Sequence, residues 1–228
     1  MIRAVTFDVY SALFDTHASL TEALRAYFQR QGIAGDPGQA ARTWREKQRE
    51  YLLLANSLDR EPASNRQAIE AAVRYALREA APALLDADVH ELTGAWERMR
   101  PWPEVAGVLA EFRRRPLILA VLSNGDAAML RALLAGLPVT FDQILSSEGG
   151  RFKPHPSGYR KALEQLGVKV DELFHVAGSP TDAMGATAAG IRTVWVNRRG
   201  EAVLDARFSP AHEAADLREA LAIFDGLR

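Results

Sequence analysis

Five short runs of mainly apolar residues, each followed by a polar or small residue, constrain the fold of this chain most strongly. The runs are AVTF before Asp8, LILAVL before Ser123, FDQIL before Ser146, LFHVA before Gly178 and TVWVN before Arg198. Apolar runs of this length without alternation are typical of strands buried on both faces, as in a parallel sheet. Helical patterns such as PEVAGVLAEFRRR and SGYRKALEQLG lie between them. From residue 99 onward the chain therefore predicts a doubly wound, Rossmann-like α/β sheet.

Residues 17–98 break this rhythm, because they contain helix formers throughout and no strand-like run. We expect four helices inserted after the first strand, with residues 1–16 and 99–228 forming the α/β core and residues 17–98 a helical cap. An insertion at this point lies above the carboxyl ends of the strands, where open α/β sheets bind ligands. We therefore expect the cap to act as a lid.

Composition excludes several classes of function. The 228 residues include no cysteine, which rules out disulfides, thiolate metal sites and thiol catalysis. The formal charge is −1, with 28 basic and 29 acidic side chains, so no global field would attract nucleic acid or an anionic membrane. The N-terminus has no apolar leader, and no apolar run approaches the roughly 20 residues of a membrane helix. We expect a cytoplasmic protein with no nucleic-acid or membrane partner.

Polar residues that follow the predicted strands form the candidate site. Asp8, Ser123 and Asp182 should meet at one edge of the sheet, joined by Lys153 in the loop RFKPHP. Each has an ordinary structural explanation when taken singly, as a turn former, a helix cap or a solvated lysine. Four together, in this order, are harder to dismiss, and a nearby ammonium group would favour the ionised form of Asp8.

The order of Asp8, LSNG, KPHP and GSPTD resembles the four motifs of the haloacid dehalogenase (HAD) superfamily of hydrolases, and the likeness extends over the whole chain, including the cap. The resemblance implies that Asp8 is the nucleophile and that Ser123 and Asn124 bind the anionic group of the substrate. It also implies that Lys153 keeps the nucleophile ionised and that Asp182 ends a final acidic loop.

Tyr10 points to one branch of that superfamily. Most members are magnesium-dependent phosphatases with a second aspartate two residues after the nucleophile, which protonates the leaving alkoxide. The phenol of Tyr10, with an ordinary pKa near ~10, is poorly suited to that role. A halide leaves without a proton, so this site suits carbon–halogen cleavage. The stretch DVYSALFD and the cap stretch TWREKQREY resemble the corresponding signatures of the type II 2-haloacid dehalogenases.

That closer resemblance implies further site residues. Arg45, in the cap signature, is expected to bind the departing halide or the substrate carboxylate, since a guanidinium suits either anion. The other expected substrate contacts are Val9, Tyr10, Ser179 and Tyr159. The implied partner is a small halogenated carboxylic acid, and a homodimer is implied by the resemblance alone. Leu52, Leu53 and Leu54 are candidates for lining the cap pocket.

We expect no metal and no cofactor. Magnesium prefers oxygen ligands and usually one or two carboxylates, and the fourth motif supplies one, Asp182, beside the hydroxyls of Ser179 and Thr181. Lys153 partly neutralises the two carboxylates, so a cation is also less needed.

Four departures from the branch pattern keep two alternatives open. The branch has threonine, serine, asparagine and tryptophan where this chain has Ala12, Ala177, Ser179 and Thr181. In the family the last three positions, in the fourth motif, help to place the hydrolytic water and shape the pocket, so attack by Asp8 is better supported than breakdown of its ester. The first alternative is a magnesium-dependent phosphatase acting on a small phosphomonoester. The second is a catalytically silent protein that keeps the fold for binding.

Overall fold

The computed structural model describes residues 1–58 and 63–227 of the chain. Within these residues, a six-stranded parallel sheet with strand order β3-β2-β1-β4-β5-β6 forms the centre of the fold. The strands are β1 (Ala4–Phe7), β2 (Ile118–Ser123), β3 (Gln143–Ser146), β4 (Leu173–Ala177), β5 (Arg192–Val196) and β6 (His212–Ala214). The predicted α/β class and the five predicted strands are confirmed. The edge strand β6 was not predicted, because its sequence HEA contains no apolar run.

Helices cover the sheet and build the segment that follows its first strand. The four helices after β1 are α1 (Thr16–Gln31), α2 (Pro37–Ser57), α3 (Asn65–Leu77) and α4 (Asp86–Thr93). The remaining five are α5 (Val105–Arg113), α6 (Ala127–Leu134), α7 (Pro156–Leu166), α8 (Pro180–Ala188) and α9 (Leu217–Gly226). Among the described residues, none of the helices is both long enough and apolar enough to cross a membrane.

The helix starts follow from local side-chain chemistry. Asp15 caps α1 by accepting the amide N–H of Ala18 at 3.0 Å. Ser64 and Gln67 form a reciprocal capping box at the start of α3. Such caps satisfy amide groups that have no partner within the helix, and each stabilises it by about 1 kcal/mol. The fourth helix of the segment, α4, ends at Thr93, and residues 94–97 form a 3₁₀ turn.

The two connections between the helical segment and the sheet run side by side. Phe14 and Pro101 form an antiparallel bridge, and the amide of Asp15 donates to the carbonyl of Arg100 at 2.9 Å. The division into a cap of residues 17–98 and a core of residues 1–16 and 99–228 stays a proposal. The pairing of residues 14–15 with residues 100–101 supports this division, because the chain enters and leaves the helical segment at the same place.

Two polar contacts hold helices α2 and α3 against loops at the edge of the sheet. Asp126, before α6, accepts the backbone amides of Asn65 at 2.8 Å and Arg66 at 3.0 Å, so a residue from outside the helical segment caps α3. Asn56, near the end of α2, donates to the carbonyl of Phe152 at 2.7 Å and accepts its amide at 2.9 Å. The second contact fixes the loop that carries Lys153.

Candidate active site

The strand order brings the predicted strand-end residues together. β1 lies between β2 and β4, with Phe7 paired to Val121 on one side and to Val176 on the other. Asp8 follows β1 directly, and its amide donates to the carbonyl of Val176 at 2.9 Å. Because parallel strands end at the same edge, the loops after β1, β2 and β4 converge there, as the sequence predicted.

Lys153 joins the two carboxylates of the site. Its Nζ donates to Asp8 Oδ1 at 3.1 Å, to Asp182 Oδ2 at 2.9 Å and to the carbonyl oxygen of Leu122 at 2.6 Å. An ammonium group has three hydrogens, and each has an acceptor here. The side chain of Lys153 is 3 % exposed, so these hydrogen bonds hold its ammonium group in place.

Charge pairing sets the protonation states of Lys153 and Asp182. Burial, the largest influence, works to lower the pKa of Lys153, but Asp182 and Asp8 outweigh it and raise that pKa above its ordinary value. Burial also works to raise the pKa of Asp182, but Lys153 and His175 outweigh it and hold that pKa well below its usual range. The site therefore holds an ammonium group and an ionised Asp182 at neutral pH.

Asp182 is held by two further donors. Tyr159, which is fully buried, donates its hydroxyl to Asp182 Oδ1 at 2.7 Å. His175 Nε2 lies 3.0 Å from Asp182 Oδ2 and donates to it, since a carboxylate only accepts. His175 Nδ1 lies 2.9 Å from Thr6 Oγ1 on the neighbouring strand. Asp182 thus accepts from three side chains: Lys153, Tyr159 and His175.

Sequence reasoning missed the role of His175 and Thr6. His175, within β4, is fully buried with both ring nitrogens partnered. One of those partners, however, is a residue of the candidate site. The signal was present in the sequence, because AVTF and LFHVA each carry a polar residue inside an apolar run, and the strand register pairs Thr6 with His175.

The helical segment contributes Arg45 from helix α2. Its guanidinium donates to Gln48 at 2.8 Å and to Ser11 Oγ at 3.3 Å, and it lies over the rings of Trp96 and Tyr10 at 5.3 and 5.9 Å. Burial is the largest influence on Arg45 and lowers the pKa of this group to about 10, so it remains a cation at neutral pH. Gln48 is positioned in turn by Asn65, to whose Oδ1 it donates at 2.6 Å.

Tyr10 has a hydroxyl with no hydrogen-bond partner among the described residues, although the side chain is only 3 % exposed. Its ring meets Trp96 edge-on at 5.2 Å. Burial raises the pKa of this phenol well above its ordinary value, so the hydroxyl keeps its proton. A buried O–H without an acceptor is costly.

A cavity of about 50 Å³ lies against these groups. Its lining includes the following predicted site residues: Asp8, Tyr10, Arg45, Asn124, Lys153, Ser179 and Asp182. Leu52 and Leu53 also line it, as expected, whereas Leu54 is exposed and does not. Ser179 lies at the start of α8, where its Oγ accepts the amide of Asp182 at 3.4 Å.

Three of the predicted substrate contacts, Ser123, Val9 and Tyr159, do not line this cavity. Ser123 is fully buried and its Oγ accepts the amide of Gly125 at 3.2 Å, while Val9 is fully buried in the main apolar core. Tyr159 contacts Asp182 instead of the cavity. The reason is the close packing of α7 on α8, where a Cβ at Gly185 would come within 2.7 Å of the Tyr159 hydroxyl. A direct contact of these three residues with a substrate stays a prediction.

The residues present do not fit a magnesium site. Among the described residues there is no group of three or more histidine, aspartate and glutamate side chains that could hold a metal ion. The Lys153 ammonium lies between Asp8 and Asp182 and pairs with one oxygen of each carboxylate, so a positive charge already occupies this position. Independence from metal stays a prediction.

Comparison with known proteins gives the same family from sequence and from structure. The family model of haloacid dehalogenase-like hydrolases matches residues 2–190. The chain is 32% identical to the (S)-2-haloacid dehalogenase of Pseudomonas sp. (strain YL) over 98% of this chain and 95% of that one. It is 34% identical to the (S)-2-haloacid dehalogenase of Xanthobacter autotrophicus over 90% of this chain and 78% of that one.

Solved structures agree with the sequence relatives. The structure of L-2-haloacid dehalogenase from Xanthobacter autotrophicus superposes with a TM-score of 0.87 at 29% identity, covering 100% of both chains. The same enzyme with chloropropionic acid covalently bound gives a TM-score of 0.85 at 28% identity, again over 100% of both chains. This chain belongs to the haloacid dehalogenase-like hydrolases, in the branch of the 2-haloacid dehalogenases.

Proposed function

We propose that the protein hydrolyses short-chain 2-haloalkanoic acids to 2-hydroxy acids through an ester of Asp8. The observation that carries the proposal is the geometry of Lys153, whose ammonium lies 3.1 Å from Asp8 Oδ1, together with Tyr10 in place of a second carboxylate. This arrangement pairs the nucleophile with an ammonium group and provides no acid for an alkoxide. A leaving group that needs no proton fits it.

In the first step, a carboxylate oxygen of Asp8 attacks the carbon that bears the halogen, from the side opposite the halogen. The new C–O bond forms as the C–halogen bond breaks, and the halide leaves with the bonding electrons. Arg45 and the free hydroxyl of Tyr10 supply positive charge and a hydrogen-bond donor for an anion in this cavity. Asn124 contributes to the binding of the substrate carboxylate.

In the second step, water attacks the carboxyl carbon of the Asp8 ester. One proton of that water ends on the hydroxyl of the product and the other is released to solvent, so Asp8 returns as a carboxylate. Asp182 accepts three hydrogen bonds, and we assign it to orienting Lys153 rather than to removing this proton. Ser179, which lines the cavity, is placed to bind the water.

The cavity size supports short substrates. A volume of about 50 Å³ beside Asp8 accommodates the reacting end of a two- or three-carbon acid rather than a long chain. Leu52 and Leu53 supply an apolar surface for the substituent on the reacting carbon.

Halide release from 2-chloropropanoate, with and without a chelator, tests the function. Wild-type protein should release chloride at the same rate in both, and Asp8→Asn should reduce the rate by at least about 10³-fold, since the amide is a poor nucleophile. Asp171→Asn, a change of the same kind at an exposed residue, is the matched control and should keep the rate. Phosphate release that requires magnesium would instead support a phosphatase, and inactivity on every substrate would support a binding protein.

Two further proposals concern location and assembly. We propose that the protein works in the cytoplasm, which the lack of cysteine supports. We also propose a homodimer, on the resemblance to the branch alone. Light scattering of the purified protein should give about twice the mass of the 25.1 kDa chain, and a monomer mass would exclude the dimer.

A further inference from the structure

A second and larger cavity adjoins the catalytic one. Its volume is about 430 Å³, and it lies between helix α2, the start of α1 and the loop that follows β5. Arg45, Arg49 and Ser179 line both cavities, so the two share a wall. We call this second cavity the vestibule.

Positive side chains dominate the vestibule. Five arginines line it: Arg42, Arg45, Arg49, Arg198 and Arg199. The carboxylate side chains in the lining are fewer: Asp15, Glu46 and Glu201. Among residues 1–58 and 63–227, Arg198 has a close ion pair with Glu104, but Arg49 and Arg199 have no ion-pair partner. Two guanidinium groups are therefore free to bind an anion.

The charges act on one another across this space. Burial is the largest influence that lowers the pKa of His17, followed by Arg199 and Arg42. Burial also lowers the pKa of Arg45, with Arg49 as the next influence. Groups from α1, α2 and the loop after β5 thus experience the same positive potential, which an anion in the vestibule would relieve.

We propose that the vestibule binds the distal carboxylate of a 2-halo dicarboxylic acid whose reacting end lies in the catalytic cavity. This inference rests on the proposed function. The catalytic cavity holds the carbon that bears the halogen. Because Arg49 lines both cavities, a short chain that extends past it would reach the vestibule and Arg199. A guanidinium binds a carboxylate through two parallel hydrogen bonds, which favours a second acid group over an apolar tail.

The bond changes are the same for a 2-halo dicarboxylic acid as for a monocarboxylic one. Asp8 forms a C–O bond with the carbon that bears the halogen, and the C–halogen bond breaks with release of halide. Water then cleaves the ester, giving the 2-hydroxy dicarboxylate, one halide ion and one proton. The distal carboxylate takes no part in these bond changes.

The test compares two substrates of equal carbon number, 2-chloropentanedioate and 2-chloropentanoate. They differ only in whether the chain ends in a carboxylate or a methyl group. Wild-type protein should show kcat/KM about tenfold higher for the diacid, mainly through a lower KM, as expected for a hydrogen-bonded charge pair. Added salt should reduce this preference, because the vestibule is open to solvent.

Substitutions assign the preference to the vestibule. Arg199→Gln should lower the diacid-to-monoacid ratio several-fold, and the double variant Arg49→Gln/Arg199→Gln should bring it close to one. Arg131→Gln is the matched control, since Arg131 is an exposed arginine that lines neither cavity, and it should keep the wild-type ratio.

The outcomes separate this inference from the proposed function. Chloride release from 2-chloropropanoate with equal kcat/KM for the two five-carbon acids would overturn the vestibule proposal and leave the proposed function standing. A diacid preference that survives the double variant would do the same. No chloride release from any of the acids would overturn the proposed function, and this inference with it.

Discussion

At the scale of single residues, Tyr10 combines burial with an unused hydroxyl. Its oxygen lies against Gly125, where a Cβ would come within 2.5 Å of it. Packing, rather than a hydrogen bond within the described residues, therefore places this group at the cavity wall. The unpartnered hydroxyl costs stability in the free protein, and we propose that it donates to the substrate or the halide in the complex.

Tyr10→Phe should therefore change stability and activity in opposite directions. Removing an unpartnered buried hydroxyl should leave the free energy of unfolding equal or raise it by about 1 kcal/mol. Loss of a donor to a bound anion should lower kcat/KM for 2-chloropropanoate by about tenfold. Urea denaturation and halide-release kinetics measure the two quantities. A loss of stability with unchanged kinetics would show that the hydroxyl serves the fold and not the site.

Because His175 donates to Asp182 at 3.0 Å, we propose that it acts on the reaction through Asp182, as a positioning residue. His175→Phe should leave Asp182 with one donor fewer and so loosen its hold on Lys153. Because Lys153 pairs with the nucleophile Asp8, we expect kcat to fall by about 10 to 100-fold with little change in KM, the size of one hydrogen bond to a buried charge. Steady-state halide release measures both constants.

Two variants separate positioning from packing. His175→Gln keeps an N–H donor and should recover much of kcat. Thr6→Val removes the hydroxyl beyond the ring, keeps the shape, and should have a smaller effect than His175→Phe. Equal kcat losses in the phenylalanine and glutamine variants would mean that the ring fills space and does not orient Asp182.

At the scale of elements, the packing of helix α7 on α8 fixes the second donor to Asp182. A Cβ at Gly185 would lie 2.5 Å from Pro154 Cβ and 2.7 Å from the Tyr159 hydroxyl. The space beside Gly185 accommodates Pro154, which adjoins Lys153 in sequence, and the Tyr159 hydroxyl, which donates to Asp182.

Gly185→Ala should destabilise the protein by about 1–3 kcal/mol, because the methyl group overpacks this contact, and should lower kcat as Tyr159 moves. Gly107→Ala is the matched control. It lies within α5, and a Cβ there would have nothing within 4 Å, so it should stabilise the fold by up to about 1 kcal/mol. Thermal unfolding of both variants measures the difference, and a neutral Gly185→Ala would show that the two helices can move apart at no cost.

At the scale of the whole molecule, the buried charges link stability to pH. Asp182 has a folded-state pKa below its ordinary value of 3.8, so its stabilising contribution is present above that pH and is lost as the pH falls through the folded value. Lys153 has a pKa raised above 10.5, so its contribution is present below that pH and is lost as the pH rises through the folded value.

The free-energy difference between wild type and Asp182→Asn should therefore be flat from about pH 5 to about pH 10. Its size should be about 3–5 kcal/mol, since one partner of a buried ion pair is removed. Below pH 4 the difference should shrink as Asp182 gains a proton. Urea denaturation across this range measures it, and a difference that grows toward low pH would contradict the assigned charges.

The sequence predicted the convergence of Asp8, Lys153 and Asp182, because the ends of parallel strands share one edge and order along the chain is enough to place them. It did not predict that Tyr159 and His175 would both bind Asp182. Those contacts depend on which strands are neighbours and on how closely two helices approach, and neither can be read from local patterns. The Asn56 contact with Phe152 was missed for the same reason, since it joins residues 96 positions apart.

The most direct test of the central claim is where solvent oxygen goes in the first turnover. With enzyme in excess over 2-chloropropanoate in water enriched in heavy oxygen, water should attack the carboxyl carbon of the Asp8 ester. Mass spectrometry of the Asp8 peptide should then show the label in Asp8, and the first 2-hydroxy acid released should carry none. Label in that product and none in Asp8 would mean that water attacks the substrate directly, and Asp8 would not be the nucleophile.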